Sequence, residues 1–232
     1  DAETGEPVLQ LQGGHICGGT CGVEEVSYSP DGSAILTAGG DDTARVWDAE
    51  TGEELFQLDH TSPVSGIVDH ARYSPDGHTI LTARYDRNFV GTVRVWDADS
   101  GAEILQLPSV RNWPIYFARY SPDGRTFVTD GPGAGVYVWD AATGEELNHF
   151  GDNQFWAAAY HPDGRLIATG DRGGTVLIWD AAAGSVLEQL SWHNGRVGML
   201  DYSSDGRYLA SAGDDDVVLI WDMSDLPEAS SN

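Results

Sequence analysis

The chain has 232 residues, 41% of them apolar, enough for a sizeable core and with no low-complexity tract. Acidic residues number 37 against 12 basic ones, all arginines, for a formal net charge of −25 that repels phosphate backbones and anionic lipid surfaces. No apolar run approaches the roughly 18 residues that cross a bilayer as a helix, so neither nucleic-acid binding nor membrane insertion is expected. The acidity itself has two readings: a hydrated surface suited to a salt-rich setting, or selection for a partner with a basic surface. Asp1 rather than methionine opens the chain, which implies processing or excision from a longer precursor.

From the N-terminus, Asp-Ala-Glu-Thr-Gly-Glu at 1–6 is repeated at 48–53, directly after Trp47. Residues 6–11 therefore read as a strand whose preceding tryptophan lies outside the sequence. A glycine-rich loop follows with Cys17 and Cys21, four residues apart, and His15 close by. Three readings stand: a local disulfide, two free thiols, or a metal site that still needs a fourth ligand. The spacing His-x-Cys-x3-Cys is not a standard zinc pattern.

Trp-Asp then recurs at Trp47-Asp48, Trp96-Asp97, Trp139-Asp140, Trp179-Asp180 and Trp221-Asp222, at intervals of 49, 43, 40 and 42 residues. Such a period indicates stacked copies of one supersecondary unit. Each copy begins with apolar residues five and two positions before a tyrosine: Val23/Val26, Val68/Ala71, Ile115/Ala118, Phe155/Ala158 and Val197/Leu200. The tyrosines, Tyr28, Tyr73, Tyr120, Tyr160 and Tyr202, open turns of the type Ser-Pro-Asp-Gly, in which proline presets φ and glycine closes the hairpin. A β-rich segment, a Gly/Asp break, the tryptophan strand, an Ala-Glu-Thr-Gly turn and a short last strand complete four antiparallel strands, a to d.

This order of residues resembles the WD-repeat β-propeller family, of bacterial or archaeal type, over nearly the whole chain. Its motifs are specific in combination: a Ser or Thr stands ten residues before the tryptophan in four copies, and Thr82 stands fourteen before Trp96 because that copy carries an insertion. The resemblance implies an all-β propeller of four-stranded antiparallel blades, and the five copies make it five-bladed where the family more often has seven, in one domain, 1–232, with repeats ending near 48, 97, 140, 180 and 222. No fourth strand follows Trp221-Asp222, so residues 6–11 are expected to pair with the last blade and leave no open edge. The rival reading is an excised part of a larger propeller.

Three copies hold His, Asp, Ser/Thr and Trp in the order found in this family: His15, Asp41, Thr37 and Trp47; His60, Asp86, Thr82 and Trp96; His193, Asp215, Ser211 and Trp221. A catalytic triad is one interpretation. The resemblance implies a buried structural relay instead, and no Gly-x-Ser-x-Gly elbow supports a hydrolase. Repeats three and four have Gly133 and Gly173 where the acid belongs and are expected to be softer.

The a–b and c–d turns of one end are monotonous, whereas the b–c and d–a loops of the other differ between copies. These include the insertion at 84–91 and the loops bearing Arg111, Trp113, Tyr116, Trp156 and Trp192. In related propellers partner contacts lie beside the start of strand a and before the b–c aspartate. The resemblance carries these onto Glu24, Asp69, Tyr116, Trp156 and Gly198, flanked by Ile67, Gln154 and Arg196, and onto Tyr85, Arg172 and Asp214. The expectation is a non-enzymatic scaffold that binds a protein or peptide on this face, a partner with a basic surface among them. A small-ligand or glycan receptor using Trp113, Trp156 or Trp192 is the alternative, and a hydrolase comes third. No cofactor or metal is expected: Asp41-Asp42 and Asp214–Asp216 lack the alternation of a calcium loop.

Overall fold

The computed structural model describes residues 6–11, 14–15, 22–60, 62, 64–107, 115, 117–130, 135–151 and 154–225. Cys17, Cys21, Arg111, Trp113, Tyr116 and Gly133, and with them the readings of the cysteine pair, lie outside the described residues. The chain forms two compact units, Asp1–Ser109 and Val110–Asn232.

Unit 1 contains two antiparallel sheets. The first comprises β1 (Val23–Tyr28), β2 (Ala34–Gly39), β3 (Thr43–Asp48) and β4 (Glu54–Asp59) in that spatial order. The second comprises β5 (Gly66–Tyr73), β6 (Thr79–Asp86), β7 (Gly91–Asp97) and β8 (Glu103–Gln106). Unit 2 contains three sheets: β9 (Ala118–Tyr120) to β12 (Glu146–Phe150) through β10 (Thr126–Asp130) and β11 (Val136–Asp140); β13 (Phe155–Tyr160), β14 (Leu166–Asp171), β15 (Thr175–Asp180) and β16 (Val186–Ser191); and β17 (Val197–Tyr202), β18 (Tyr208–Gly213) and β19 (Val218–Asp222). Among the described residues all regular structure is strand, as the period-2 patterning and absence of helical periodicity dictate.

The repeated turns close through their own side chains. In the first a–b turn Asp31 Oδ1 accepts from Ser29 Oγ at 2.6 Å and from the Ser33 amide at 3.0 Å, and Gly32 supplies φ 75°. The Ser29 hydroxyl, the Ser33 amide and the Ser33 hydroxyl hold the Asp31 carboxyl down at about 2. The aspartate of each of the first four Trp-Asp pairs works in the same way one turn later. Asp48 Oδ1 accepts from the Thr51 amide at 2.7 Å, the Thr51 hydroxyl at 2.9 Å and the Glu50 amide at 3.0 Å. The Asp therefore shapes the c–d hairpin, while its neighbouring tryptophan belongs to the sheet interior.

All five tryptophans of the Trp-Asp pairs donate from the indole to a hydroxyl on the adjacent strand: Trp47 to Thr37 at 2.9 Å, Trp96 to Thr82 at 2.8 Å, Trp139 to Thr129 at 3.0 Å, Trp179 to Thr169 at 2.8 Å and Trp221 to Ser211 at 2.9 Å. Apolar faces of successive sheets pack around these bonds. Leu36, Val46, Leu58, Val68 and Ile80 form the core of unit 1. In unit 2, Phe117, Val128, Phe155, Ile167 and Trp179 fill one interface, and Ala168, Ile178, Val197 and Leu209 the next. Each fully buried aliphatic side chain of this kind contributes about 1.5–3 kcal/mol.

The N-terminal expectation is corrected. Residues 6–11 form no strand, and among the described residues the last sheet has three strands, β17-β18-β19. Leu9 lies instead against Gly52, at the turn between β3 and β4, where an added Cβ would meet Leu9 Cδ2 at 2.9 Å. Pro7 stands where the repeat has Glu54, which pairs with Trp47, and proline brings no amide to a ladder.

The shared hydroxyl can be tested by deletion. Thr37 serves both Trp47 and His15 Nε2, at 2.9 Å each, whereas Trp139 is the side-chain partner of Thr129. Thr37→Val is expected to cost about 1–3 kcal/mol more than Thr129→Val in urea unfolding, because it strands two buried groups. Equal losses would contradict this role.

Candidate functional site

Strand a of four sheets carries a bulge at one equivalent position. Val23 pairs with Gly39 and Glu25 with Ala38, leaving Glu24 as the extra residue. Asp69 is extra between Val68 and His70, Trp156 between Phe155 and Ala157, and Gly198 between Val197 and Met199. These four are the residues expected at the start of strand a. A bulge leaves its extra residue unpaired in the ladder and re-aims its side chain. The backbone device is thus constant while the side chain changes from carboxylate to indole to hydrogen.

In unit 1 the bulges lie beside a charged crossing between the two sheets. Glu25 on β1 accepts from the Ala71 amide at 2.9 Å, pairs with the Arg72 guanidinium and stands 3.4 Å from His70 Nδ1. Asp69 lies 3.5 Å from His70 Nε2. A second crossing joins the buried Arg84 to Asp42 and to the Val64 carbonyl. Tyr85 is half-buried on β6, and Glu24 is exposed.

In unit 2 the Arg196 guanidinium sits 4.6 Å from the centroid of the half-buried Trp156 ring. The same guanidinium pairs with both Asp214 oxygens, Nε to Oδ2 and Nη2 to Oδ1, at 3.1 Å each. Trp156, Arg196 and Asp214 are therefore one cluster, with a cation held between a π-face and a carboxylate. Arg172 is exposed on the b–c turn of the preceding sheet, and Trp192 is 78% exposed.

The relay residues come together in two of the three repeats. His15 Nδ1 lies 2.6 Å from Asp41 Oδ1, and His15 Nε2 lies 2.9 Å from Thr37 Oγ1. His193 Nδ1 lies 3.0 Å from each Asp215 oxygen, and its Nε2 lies 2.8 Å from Ser211 Oγ. Ser211 is 1% exposed and already accepts from Trp221, so this hydroxyl meets no substrate. In repeat two His60 Nε2 reaches Thr82 at 2.7 Å, but Asp86 does not reach His60. The expectation for Asp86 is corrected: its carboxylate accepts from the Asn88 and Val90 amides at 2.8 and 3.0 Å and caps its own turn. Repeat four has no histidine in its cluster; Phe150 and Phe155 pack on Trp179 with ring centroids at 5.0 and 5.9 Å. Asp171 there caps the b–c turn by accepting from the Gly173 and Thr175 amides at 2.8 and 2.9 Å.

Sequence patterns missed Glu25, His70, Arg72 and Arg84, because contacts between sheets leave no trace in a period within one repeat. They also missed Thr43 and Arg45, which join the first relay: Thr43 Oγ1 donates to Asp41 Oδ1 at 2.7 Å, and Arg45 Nη2 donates to Oδ2 at 3.3 Å. The even spacing from the tryptophan, four and two residues, was the available signal.

Burial opposes ionisation of Asp41, but hydrogen bonds from Thr43, His15 and Arg45 and the electrostatic attraction of His15 outweigh it, so its carboxyl falls below the ordinary 3.8. A depressed carboxyl contributes stability that is complete above the unfolded value and is lost as pH falls through the folded one. Asp41→Asn is therefore expected to lower the urea midpoint at neutral pH, with the gap from wild type closing as pH falls through and below the ordinary carboxyl value. A gap that grows on acidification would contradict the relay geometry.

Comparison with known proteins follows these same repeats. The family model for the WD domain, G-beta repeat, matches residues 5–48, 144–180 and 184–222, just over half of the chain. A relative is "WD repeat-containing protein 1" of Gallus gallus, 48% identical over 48 residues, which is 21% of this chain and 8% of that protein.

Proposed function

Because the chain belongs to the family of the WD domain, G-beta repeat, we propose that it is a non-enzymatic interaction module whose five sheets serve as propeller blades and whose partner is a protein or peptide. Members of this family are typically scaffolds for protein–protein interaction. The observation that carries the finer reading is the bulge: one backbone device in four sheets presents Glu24, Asp69, Trp156 and Gly198, different side chains on equal mounts. Tyr116 takes the corresponding place in repeat three by its spacing, and Tyr85, Arg172, Arg196 and Asp214 flank the set.

The surface chemistry favours a partner with a basic surface. The bulge carboxylates, Asp214 and a net charge of −25 attract cations over a Debye length, and the Trp156 face accepts a guanidinium or ammonium. Aromatic and arginine side chains of this kind dominate interface energies. The same field argues against nucleic acid.

Capture from native extract tests this reading, using the wild type, the Tyr116→Ala/Trp156→Ala pair, and Glu50→Ala on the c–d turn as a control. The pair is expected to weaken partner retention at least ~30-fold, as loss of about 2 kcal/mol at a hot spot implies, while Glu50→Ala retains it. Undiminished retention by the pair would overturn the site assignment. The exposed Trp192 favours the second reading, a glycan receptor, which a saturable quench of tryptophan fluorescence by a sugar, abolished in Trp192→Ala, would establish.

A further inference from the structure

Repeats one and two share a set of residues that differ in what they hold. Counting back from the tryptophans, Thr43 and Arg45 correspond to Thr92 and Arg94, and His15 corresponds to His60, each histidine 22 residues before its threonine partner. In repeat one the Asp41 carboxylate binds all three: His15 Nδ1 at 2.6 Å and Thr43 Oγ1 at 2.7 Å on Oδ1, and Arg45 Nη2 at 3.3 Å on Oδ2. In repeat two the corresponding acid has left. The β6–β7 ladder runs two pairs further than β2–β3, through Arg84↔Thr92 and Tyr85↔Gly91, where β2–β3 stops at Ala38↔Ala44. Two pairs carry the turn about 7 Å along the strand, and Asp86 spends its carboxylate on the Asn88 and Val90 amides.

The donors stayed behind. His60 Nδ1 and Thr92 Oγ1 are buried without a hydrogen-bond partner, in residues that are 1% and 8% exposed. Arg94 Nε is also unpartnered, but so is Arg45 Nε, so the histidine and the threonine make the difference. In the tautomer that an acceptor at Nδ1 selects, the Thr82 hydroxyl, which accepts the Trp96 indole proton at 2.8 Å, gives its own proton to His60 Nε2 at 2.7 Å, and Nδ1 carries the imidazole hydrogen. Two buried donors thus lack an acceptor, at a cost of about 1–3 kcal/mol each.

We infer that the second sheet holds a receptor for one small carboxylate anion, of the size of formate or acetate, that accepts from His60 Nδ1 and Thr92 Oγ1 beside the Arg94 guanidinium. A carboxylate is chosen because the side-chain carboxylate of Asp41 makes these contacts in the sister repeat. The surrounding charges come from every neighbouring strand and loop: Arg84 paired with Asp42, and Arg94 paired with Glu103 at 3.1 Å and with the Asp59 carbonyl at 3.2 Å. Burial first, then Arg94 and Arg84, hold His60 well below its ordinary 6.5, so it is neutral when the anion is absent. The anion opposes the two arginines and raises the proton affinity of His60, so binding tightens as pH falls toward the His60 value.

The test is titration of the intact chain with sodium formate at constant ionic strength set by sodium sulfate, following the imidazole nitrogens by NMR. The expected result is a saturable change at His60 Nδ1, tighter at lower pH, with His15 unmoved because Asp41 already serves it. Thr92→Val should weaken binding at least ~10-fold, as loss of a bond to a charged acceptor implies, while Thr92→Ser keeps it and Asp86→Ser leaves it unchanged. Failure of His60 to respond, an equal response at His15, or a His60 signal that Asp86→Ser alone shifts, would each overturn the inference. The Asp86 outcome would identify that residue's own carboxylate as the occupant. Should Thr92→Val not fold, Arg94→Lys with the wild-type pH series decides in its place: a pH-independent response overturns the proposal.

Discussion

One bond recurs at the centre of every sheet: the indole of a tryptophan on strand c donating to a hydroxyl on strand b. It sets the identity of both residues. Phenylalanine at the first or valine at the second would keep the packing and lose the bond, leaving a buried polar group unpaired. It also leaves the hydroxyl free to make a second bond, and in three repeats a histidine from the preceding loop shares that bond through Nε2. The loop is thereby fastened to the sheet, and a strand pair becomes a tertiary unit. Repeat four fastens its loop by other means, with Phe150 and Phe155 against the same indole. Polar and aromatic solutions to one packing problem thus coexist in one chain.

Because the repeats share this centre, each serves as a control for the others. Repeats one and two have the same residues at the same spacing from threonine to acid, yet Asp41 turns back to His15 and Asp86 does not reach His60. Two extra ladder pairs decide the matter. A few residues of insertion separate a network gathered on the Asp41 carboxylate from one in which His60 Nδ1 and Thr92 Oγ1 are buried without a partner. The bulges show the converse: the backbone repeats while the presented side chain varies.

Turns and sheet centres were legible in the sequence because their signals are local. Asp31 and Gly32, or Asp48 and Gly52, act within five residues of one another, and the threonine-to-tryptophan spacing reports a hairpin register directly. The positions of Glu24, Asp69 and Trp156 were legible through family resemblance, but the bulge that presents them was not, since a register slip leaves the pattern of apolar residues intact. Asp86 was misplaced because linear order is the same in both repeats and only ladder length separates them. Residues 6–11 looked like an outer strand by their likeness to the segment after Trp47, yet Pro7 removes a ladder donor there. Contacts between sheets, such as Glu25 with Arg72, had no sequence signal at all.

The most direct measurement is hydrogen exchange of the indole protons. Trp47, Trp96, Trp139, Trp179 and Trp221 each donate to a strand-b hydroxyl, so their indole protons should exchange only with opening of the sheets, far more slowly than that of the 78% exposed Trp192. Five protected indole protons beside a fast Trp192 are the predicted result. Exchange of these five at the rate of Trp192 would contradict the bond on which the whole account stands.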